Sequence, residues 1–245
     1  MGIYYSCITK LDISNKGLIQ LPDSIDKYTN LEKLDCYENQ LTSLDNLPQT
    51  LKALVCINNK ITILDNLPPN LIELHCGNNQ LTSLDNLPPS LEILVCWNNK
   101  LTSLDNLPPT LKYLNCSNNK LTSLDNLPPN LKYLGCCHNE LTSLDNLPLK
   151  MDVLSCSNNQ LTSLDNLPLK LESLFCYNNK ITNLDNLPLT LKELYCSSNE
   201  ITSLDNLPSK LKVLYCFMNP LKYDFEPTLE NIKNYNASRI LSSNT

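Results

Sequence analysis

Cysteines are the reactive side chains that stand out in this 245-residue sequence, because ten of the twelve recur every twenty residues. The ten are Cys36, Cys56, Cys76, Cys96, Cys116, Cys136, Cys156, Cys176, Cys196 and Cys216. Thiolates bind soft metals, but a zinc site needs ligands around the ion, whereas one position repeated at a fixed interval gives a line. Buried free cysteine otherwise packs as a small apolar residue. The column therefore indicates packing in a reducing compartment, without disulfides or bound metal.

Cys137 lies outside this column and is followed by His138. Adjacent residues of a strand point to opposite faces, so the imidazole is badly placed to activate the thiol. The other histidine, His75, is three repeats away from this pair, and four glycines leave no phosphate-binding loop. We expect no enzymatic activity and no cofactor. An enzyme that uses Cys137 stays an alternative if that thiol labels selectively.

Nine aspartates form a second column, at the same twenty-residue interval. They are Asp45, Asp65, Asp85, Asp105, Asp125, Asp145, Asp165, Asp185 and Asp205. Stacked carboxylates could be neutralised by Ca²⁺, which prefers oxygen ligands. They could equally form Asx turns, in which the carboxylate accepts a backbone N–H two residues further on. We favour the turn and assign no metal ligand, and we keep a Ca²⁺-binding solenoid as an alternative.

Both columns belong to one phrase that recurs in strict phase from Leu31 to Lys210, a span of 180 residues and nine copies. Residues 111–130 state it as LKYLNCSNNKLTSLDNLPPN. Such copies stack into a solenoid because none can bury its apolar side alone. Alternation predicts a short strand with Leu34 and Cys36 inward. The asparagine that follows, as at Asn59, is expected to bond backbone groups of the turn. The proline-containing half is too short for a helix and predicts extended, polyproline-like backbone.

The predicted fold is a leucine-rich arc of repeats with a parallel β-sheet on its concave face, an extended convex side and a short C-terminal capping helix. We divide the chain into an N-terminal cap with a first atypical repeat (residues 1–30), the repeat array (31–220) and a cap helix with its tail (221–245). The helix is expected from Pro227 to Leu241, since proline suits the first helical position.

The phrase N-x-L-T-x-L-D-N-L-P-x-x-L-x-x-L resembles the short leucine-rich repeats of bacterial effectors of the YopM and IpaH type, and those of giant amoeba viruses. It covers residues 31–220. Asp45 and Asn46 stand where the bacterial repeats often carry Pro and Glu, and no catalytic domain follows, so the ubiquitin-ligase activity of IpaH-type proteins does not transfer. The resemblance implies protein recognition.

Side chains at the outward strand positions differ between copies whose framework hardly differs. They form two apolar patches, one that runs from Val55 through Trp97 to Tyr133 and one from Phe175 to Phe217. Exposed apolar and aromatic side chains are typical of interaction surfaces. We predict that a protein partner contacts Ile93, Val95, Trp97, Tyr113, Tyr133, Phe175, Tyr177, Tyr195 and Tyr215. The alternative is that neighbouring aromatic rings only pack on one another, or that Phe217 and Tyr215 lie under the C-terminal cap.

The net charge of −6 argues against nucleic acid, which needs clustered Lys and Arg. Neither a secretory signal nor a transmembrane segment is predicted, so the cytoplasm is expected, and the host cytoplasm for a viral protein. Residues 1–6 fit an N-myristoylation pattern, and we expect membrane binding only if Gly2 is lipidated. The predicted partner is an unidentified protein, such as a host protein. A structural or virion spacer is the alternative.

Overall fold

The computed structural model describes residues 5–243, with side chains described up to residue 239. Its eleven strands form one parallel sheet in chain order, which confirms the predicted solenoid. The strands are β1 Lys10–Asp12, β2 Lys33–Asp35, β3 Ala53–Val55, β4 Glu73–His75, β5 Ile93–Val95, β6 Tyr113–Asn115, β7 Tyr133–Gly135, β8 Val153–Ser155, β9 Ser173–Phe175, β10 Glu193–Tyr195 and β11 Val213–Tyr215.

The sheet is in register throughout, so each repeat position becomes a row that runs along the solenoid. Leu34 on β2 pairs with Leu54 on β3, and the same interval holds as far as β11. Only the first step differs, because Leu11 on β1 pairs with Leu34 across 23 residues. Leu34 and Cys36 are fully buried, as the strand alternation predicts. A slip of one residue would expose both rows, which is why the register is fixed.

Each coil is closed by the asparagine that follows the strand. The Asn59 side-chain amide donates to the carbonyls of Cys36 and Cys56, both at 3.1 Å. Its oxygen accepts the backbone N–H of Leu41 at 2.9 Å. The same three bonds recur in later coils, for example at Asn119. The predicted role of this column is confirmed, because buried backbone groups at the turn need such partners.

The convex half of each coil contains turns and extended backbone, and no helix forms in it between residues 36 and 212. Two asparagines of a repeat adopt the left-handed conformation, as Asn58 (φ 57°) and Asn66 (φ 57°) do. Asparagine tolerates this conformation better than most residues with a β-carbon. The repeat therefore turns twice per coil without glycine.

The two ends of the array differ from its middle. Short 3₁₀ turns occur at Tyr5–Cys7 and Ile25–Lys27, on either side of β1. The C-terminal helix α1 spans Leu229–Ser243, so the predicted start at Pro227 is two residues early. The Thr228 hydroxyl accepts the backbone N–H of Asn231 at 3.2 Å and caps the helix there. Helix α1 buries Ile232 against the last coil.

No helix within residues 5–243 combines the length and apolar character that crossing a bilayer requires. The predicted lipidation site, Gly2, lies outside the described residues. The three sequence ranges assigned above to cap, array and tail stay predictions, although β1 already belongs to the same sheet as the later strands.

Candidate concave interface

The concave face is formed by the side chains on either side of the buried strand leucine, together with the residue two positions after the strand. All nine predicted contact residues lie there, and all keep part of their surface exposed. Tyr177 and Tyr215 are the most open, at 41% and 47% exposure. The structure thus brings the predicted residues onto one face, but eight of the side chains fall into three separate groups and Tyr177 stands apart from them.

The first group is a stack of rings on β9, β10 and β11. Phe175 and Tyr195 are nearly parallel, with ring centroids 4.5 Å apart, and Tyr195 and Tyr215 are 4.8 Å apart. Phe217 meets Tyr215 edge-on at 6.2 Å. Because the ring faces are used within the stack, the rings present mainly their edges and hydroxyl groups to solvent. Phe217 is 59% exposed, so the idea that these rings lie under the C-terminal cap is wrong.

The second group is the pair Tyr113 and Tyr133, on β6 and β7. Their rings are parallel within 3° and 4.2 Å apart. The Tyr133 ring also lies close above Gly135, where a β-carbon would come within 3.3 Å of its edge. Burial, and then the neighbouring Tyr113, raise the pKa of the Tyr133 hydroxyl. This pair is therefore a fixed aromatic ridge.

The third group contains Trp97 with Ile93 and Val95 of β5. The indole lies over Gly77 of the preceding coil, where a β-carbon would stand 2.6 Å from it. The indole is thus turned towards the N-terminal side of the array, away from Tyr113. The sequence had suggested one patch running from Trp97 to Tyr133, and only Ile93, which pairs with Tyr113, connects the two.

Small residues occupy one row in three consecutive coils, at Asn115, Gly135 and Ser155, and we call this row the trough. At the strand spacing of about 4.8 Å it is roughly 15 Å long. The tyrosine pair lies beside its first two coils, and the ring stack begins after its third. Cys137 lies in it, with its sulfur 3.0 Å from the hydroxyl of Ser155. Its backbone N–H donates to the Ser117 hydroxyl at 3.2 Å. Neither contact is to a base.

The cysteine column is fully enclosed from Cys36 to Cys196. Burial raises the pKa of the Cys76 and Cys116 thiols to about 12, and it raises the pKa of the other thiols in the column as well. Thiols held protonated in this way are poor nucleophiles and poor metal ligands. All twelve cysteines are free, as the packing interpretation requires.

The aspartate row does not form the Asx turns that the sequence suggested. Its carboxylates instead accept hydrogen bonds from the next coil, as when Asn86 donates to Asp65 at 3.1 Å. Asn106 bonds Asp85 and Asn126 bonds Asp105 in the same way. Neighbouring coils are thereby joined and the stacked charge is partly compensated. Within residues 5–243 no three His, Cys, Asp or Glu side chains come together as a metal site.

An exposed row of leucines was not predicted from the sequence. Leu149, Leu169 and Leu189 occupy one position in three consecutive coils and are 76–80% exposed. Earlier coils carry proline there, at Pro69, Pro89, Pro109 and Pro129. The change from proline to leucine could have indicated this exposed row. In a leucine-rich sequence, however, such leucines resemble the buried leucines of the core.

A sequence profile of the family described as Leucine Rich repeats (2 copies) matches residues 89–129. No curated protein sequence matches the chain. Among solved structures, YopM, a leucine-rich effector protein from Yersinia pestis, is 32% identical with a TM-score of 0.79. That match covers 86% of this chain and 66% of YopM.

Two further structures are similar. The functional domain of InlJ from Listeria monocytogenes, which includes a cysteine ladder, is 34% identical with a TM-score of 0.65, over 94% of this chain and 48% of that one. A leucine-rich repeat domain of a Shigella effector is 33% identical with a TM-score of 0.57, over 64% of this chain and 72% of that domain. The chain thus spans about half of the InlJ structure and about two thirds of YopM. The resemblance to viral repeats stays a prediction.

Proposed function

The chain belongs to the leucine-rich repeat proteins, and we propose that it binds another protein through its concave face without catalysing a reaction. Repeat solenoids of this kind use extended concave surfaces for binding. The observation that carries the proposal is the clustering of aromatic rings on that face. Rings occupy the outward positions of β6, β7, β9, β10 and β11, whereas the inward positions hold the same Leu and Cys in every coil from β2 to β11.

The aromatic groups are already ordered before a partner arrives. Each stacked pair adds about 0.5–1.5 kcal/mol beyond the burial of its area, so Tyr195 is held on both sides by Phe175 and Tyr215. Binding to such fixed anchors loses little side-chain entropy. Tyrosine edges and hydroxyl groups suit a partner surface that offers both apolar groups and hydrogen-bond acceptors.

The trough suggests how a partner would dock. Its length of roughly 15 Å suits an extended segment that runs along the row. Such a segment would contact the tyrosine pair beside Asn115 and Gly135 and the ring stack beyond Ser155. The small side chain at Ser155 permits close approach of the partner backbone, whereas Gly135 is already covered by the Tyr133 ring.

The kind of partner is proposed from the similar structures. YopM is described as an effector and the Shigella domain as part of one, so we propose a host protein as the partner and the host cytoplasm as the location. Since the chain spans only part of YopM and InlJ, nothing of their whole-protein activity is carried over.

The test is affinity capture from host-type cell lysate with a concave-face variant that keeps the fold. Trp97→Ser, Tyr177→Ser and Tyr195→Ser introduce the serine that other coils carry at these positions, at Ser117, Ser157 and Ser155. A captured protein that is retained by the wild type should be lost by the triple variant. Circular dichroism and thermal melting verify that the variant still folds.

The matched control is Ile63→Ser, which removes a 53% exposed apolar side chain from the convex side. Serine is the residue at this position in most other coils, as at Ser43 and Ser83. The control should capture the same protein as the wild type. If wild type, triple variant and control capture identical sets, the concave-face proposal is wrong and a structural spacer becomes the better reading.

A further inference from the structure

The exposed leucine row has no structural role in the array. Leu149, Leu169 and Leu189 are 79%, 80% and 76% exposed, so they bury almost nothing. Gln49 and Ser209 hold the same position near the two ends of the array, which shows that the fold accepts a polar residue there. Three neighbouring leucines thus form an apolar row about 10 Å long at the strand spacing.

The residue after two of the three leucines also departs from the structural pattern, whereas Thr190, after Leu189, keeps it. In other coils it ties the coil to its predecessor, as when the Thr110 hydroxyl donates to the carbonyls of Pro89 and Leu91 at 2.7 and 2.8 Å. Lysine stands at this position after the first two exposed leucines, at Lys150 and Lys170. Lys150 Nζ instead reaches the side-chain oxygen of Asn130 at 2.9 Å, at the surface. At Lys150 a hydrogen bond to the backbone of the preceding coil is therefore replaced by a surface bond to a side chain, with a positive charge beside the exposed leucines.

These lysines belong to a lateral face that is basic in the second half of the array. We define the lateral face by two rows. The first is the residue directly after the exposed-leucine position, as at Lys150, and the second is the residue two positions after that one, as at Asp152. From Ser90 to Lys212 these rows hold seven lysines and three acidic residues, a net charge of +4 in a chain of net charge −6. The lysines are Lys112, Lys132, Lys150, Lys170, Lys192, Lys210 and Lys212.

A groove of about 330 Å³ opens on this face and is lined by Lys112, Lys132 and Lys150, together with Glu92, Thr110 and Asn130. Lys112 pairs with Glu92 at 2.8 Å, and Lys132 lies 3.9 Å from Asp152. Both pairs are exposed and therefore weak. An anionic group that enters the groove would meet three ammonium groups that are held only loosely by their present partners.

We propose that the lateral face, from Lys112 to Lys212, docks on an anionic lipid bilayer, with Leu149, Leu169 and Leu189 inserted among the headgroups. Lysine next to exposed leucine is typical of surfaces that lie in the membrane interface. Protein interfaces, in contrast, are depleted in lysine and rely on aromatic and arginine anchors. This docking is independent of the concave-face function and needs no lipid on Gly2.

The aspartate row limits how the protein can lie on the bilayer. Asp145, Asp165 and Asp185 precede the leucines by four residues, with the buried Leu147 and Pro148 between them in the first of these coils. The row lies on the convex side of the leucines and the lysine row on their other side. The array must therefore tilt onto its lysine side, so that the carboxylates remain in water.

The experiment is co-sedimentation of the full chain with vesicles of phosphatidylcholine alone, and of phosphatidylcholine mixed with phosphatidylserine. The wild type should sediment with the mixed vesicles only, and less at raised salt. Changing Lys150 and Lys170 to Asn and Thr, which other coils carry at this position, should weaken the partition about 30-fold, since each lysine near an anionic surface contributes roughly a fivefold gain. Replacing the three leucines by Gln should weaken it at least tenfold, from the lost insertion of apolar area.

Ile63→Ser again serves as the control, because it removes an exposed apolar side chain from another face. It should bind the vesicles as the wild type does. A wild type that stays in the supernatant with both vesicles overturns the proposal, and an acidic protein partner for the lateral face would then be the reading to pursue. Equal binding of wild type, lysine variant and leucine variant also overturns it, because the binding would lie elsewhere.

Discussion

Alkaline pH should unfold this protein, and the cysteine column is the reason. Nine thiols, from Cys36 to Cys196, are fully buried. The pKa of every one is raised by burial, to about 12 for Cys36, Cys76 and Cys116. In the unfolded chain the same thiols have a pKa of about 8.5. Above that pH the folded state binds more protons than the unfolded state, so stability falls as pH rises.

The size of the effect follows from the number of thiols. At pH 9.5, one unit above the pKa of a thiol in the unfolded chain, ionisation of that thiol on unfolding lowers the free energy of unfolding by about 1.4 kcal/mol. Nine such thiols lower the free energy of unfolding by about 13 kcal/mol, which is as large as the total stability of most domains. A segment of three coils that opened alone would lose about 4 kcal/mol, so partial unfolding is favoured too. Below about pH 7.5 the column contributes less than about 0.5 kcal/mol of pH dependence.

Thermal melting by circular dichroism in the presence of a reductant, at pH 7.5, 8.5 and 9.5, measures this effect. The melting temperature should fall by several degrees over the first step, which removes about 3 kcal/mol, and should collapse over the second, which removes about 9 kcal/mol. Absorbance of the thiolate near 240 nm should rise together with unfolding, not before it.

A matched variant replaces Cys96, Cys116 and Cys136 by valine. Ile13 occupies the equivalent position in the first coil, so a β-branched apolar residue fits there. Three of nine thiols are removed, and the pH dependence between 8.5 and 9.5 should fall by about a third. A melting temperature that is constant up to pH 9.5, or thiolate absorbance that appears in the folded protein near pH 8.5, would refute the reasoning.

Two substitutions test other parts of the framework. Asn119→Leu leaves three buried backbone groups without a partner and should lower the free energy of unfolding in urea by about 3 kcal/mol. The control Asn118→Gly, at a left-handed position (φ 54°), should change stability little. Similar losses in both variants would contradict the assigned bonds. Gly77→Ala should displace the indole of Trp97 and shift its fluorescence to longer wavelength, whereas Gly135→Ala, two coils beyond that indole, should leave the emission unchanged. An unchanged spectrum in the first variant would mean that the indole does not lie over Gly77.

The fold was predictable because a strict period converts local rules into a global structure. Alternation in one copy places Leu34 and Cys36 inward, and repetition in phase then fixes the parallel register of every strand. The role of Asn59 followed from the need to pair the backbone at a turn. The helix start was two residues early because the Thr228 hydroxyl, not Pro227, supplies the cap.

The candidate site was predictable only as a list of exposed positions. The indole of Trp97 lies over the preceding coil since Gly77 leaves space there, and no repeat rule states that preference. The aspartate bonds were missed because Asx turns are formed within one segment, whereas Asn86 and Asp65 belong to different coils. Leu149 is exposed because its side of the second turn faces solvent. The composition of the repeat does not indicate which side that is.

The two proposed surfaces are compatible because they lie on different sides of the same coil. Concave contacts come from positions on either side of the strand leucine, as at Tyr195, whereas the lateral face precedes the strand, as at Lys170 and Leu169. A protein docked by its lateral face would therefore keep the trough open to a partner. Partner capture and vesicle binding should therefore be lost independently of each other. Serine at Trp97, Tyr177 and Tyr195 should abolish partner capture and leave vesicle binding intact, and glutamine in the leucine row should do the reverse. Simultaneous loss in either variant would mean that the two faces form one site.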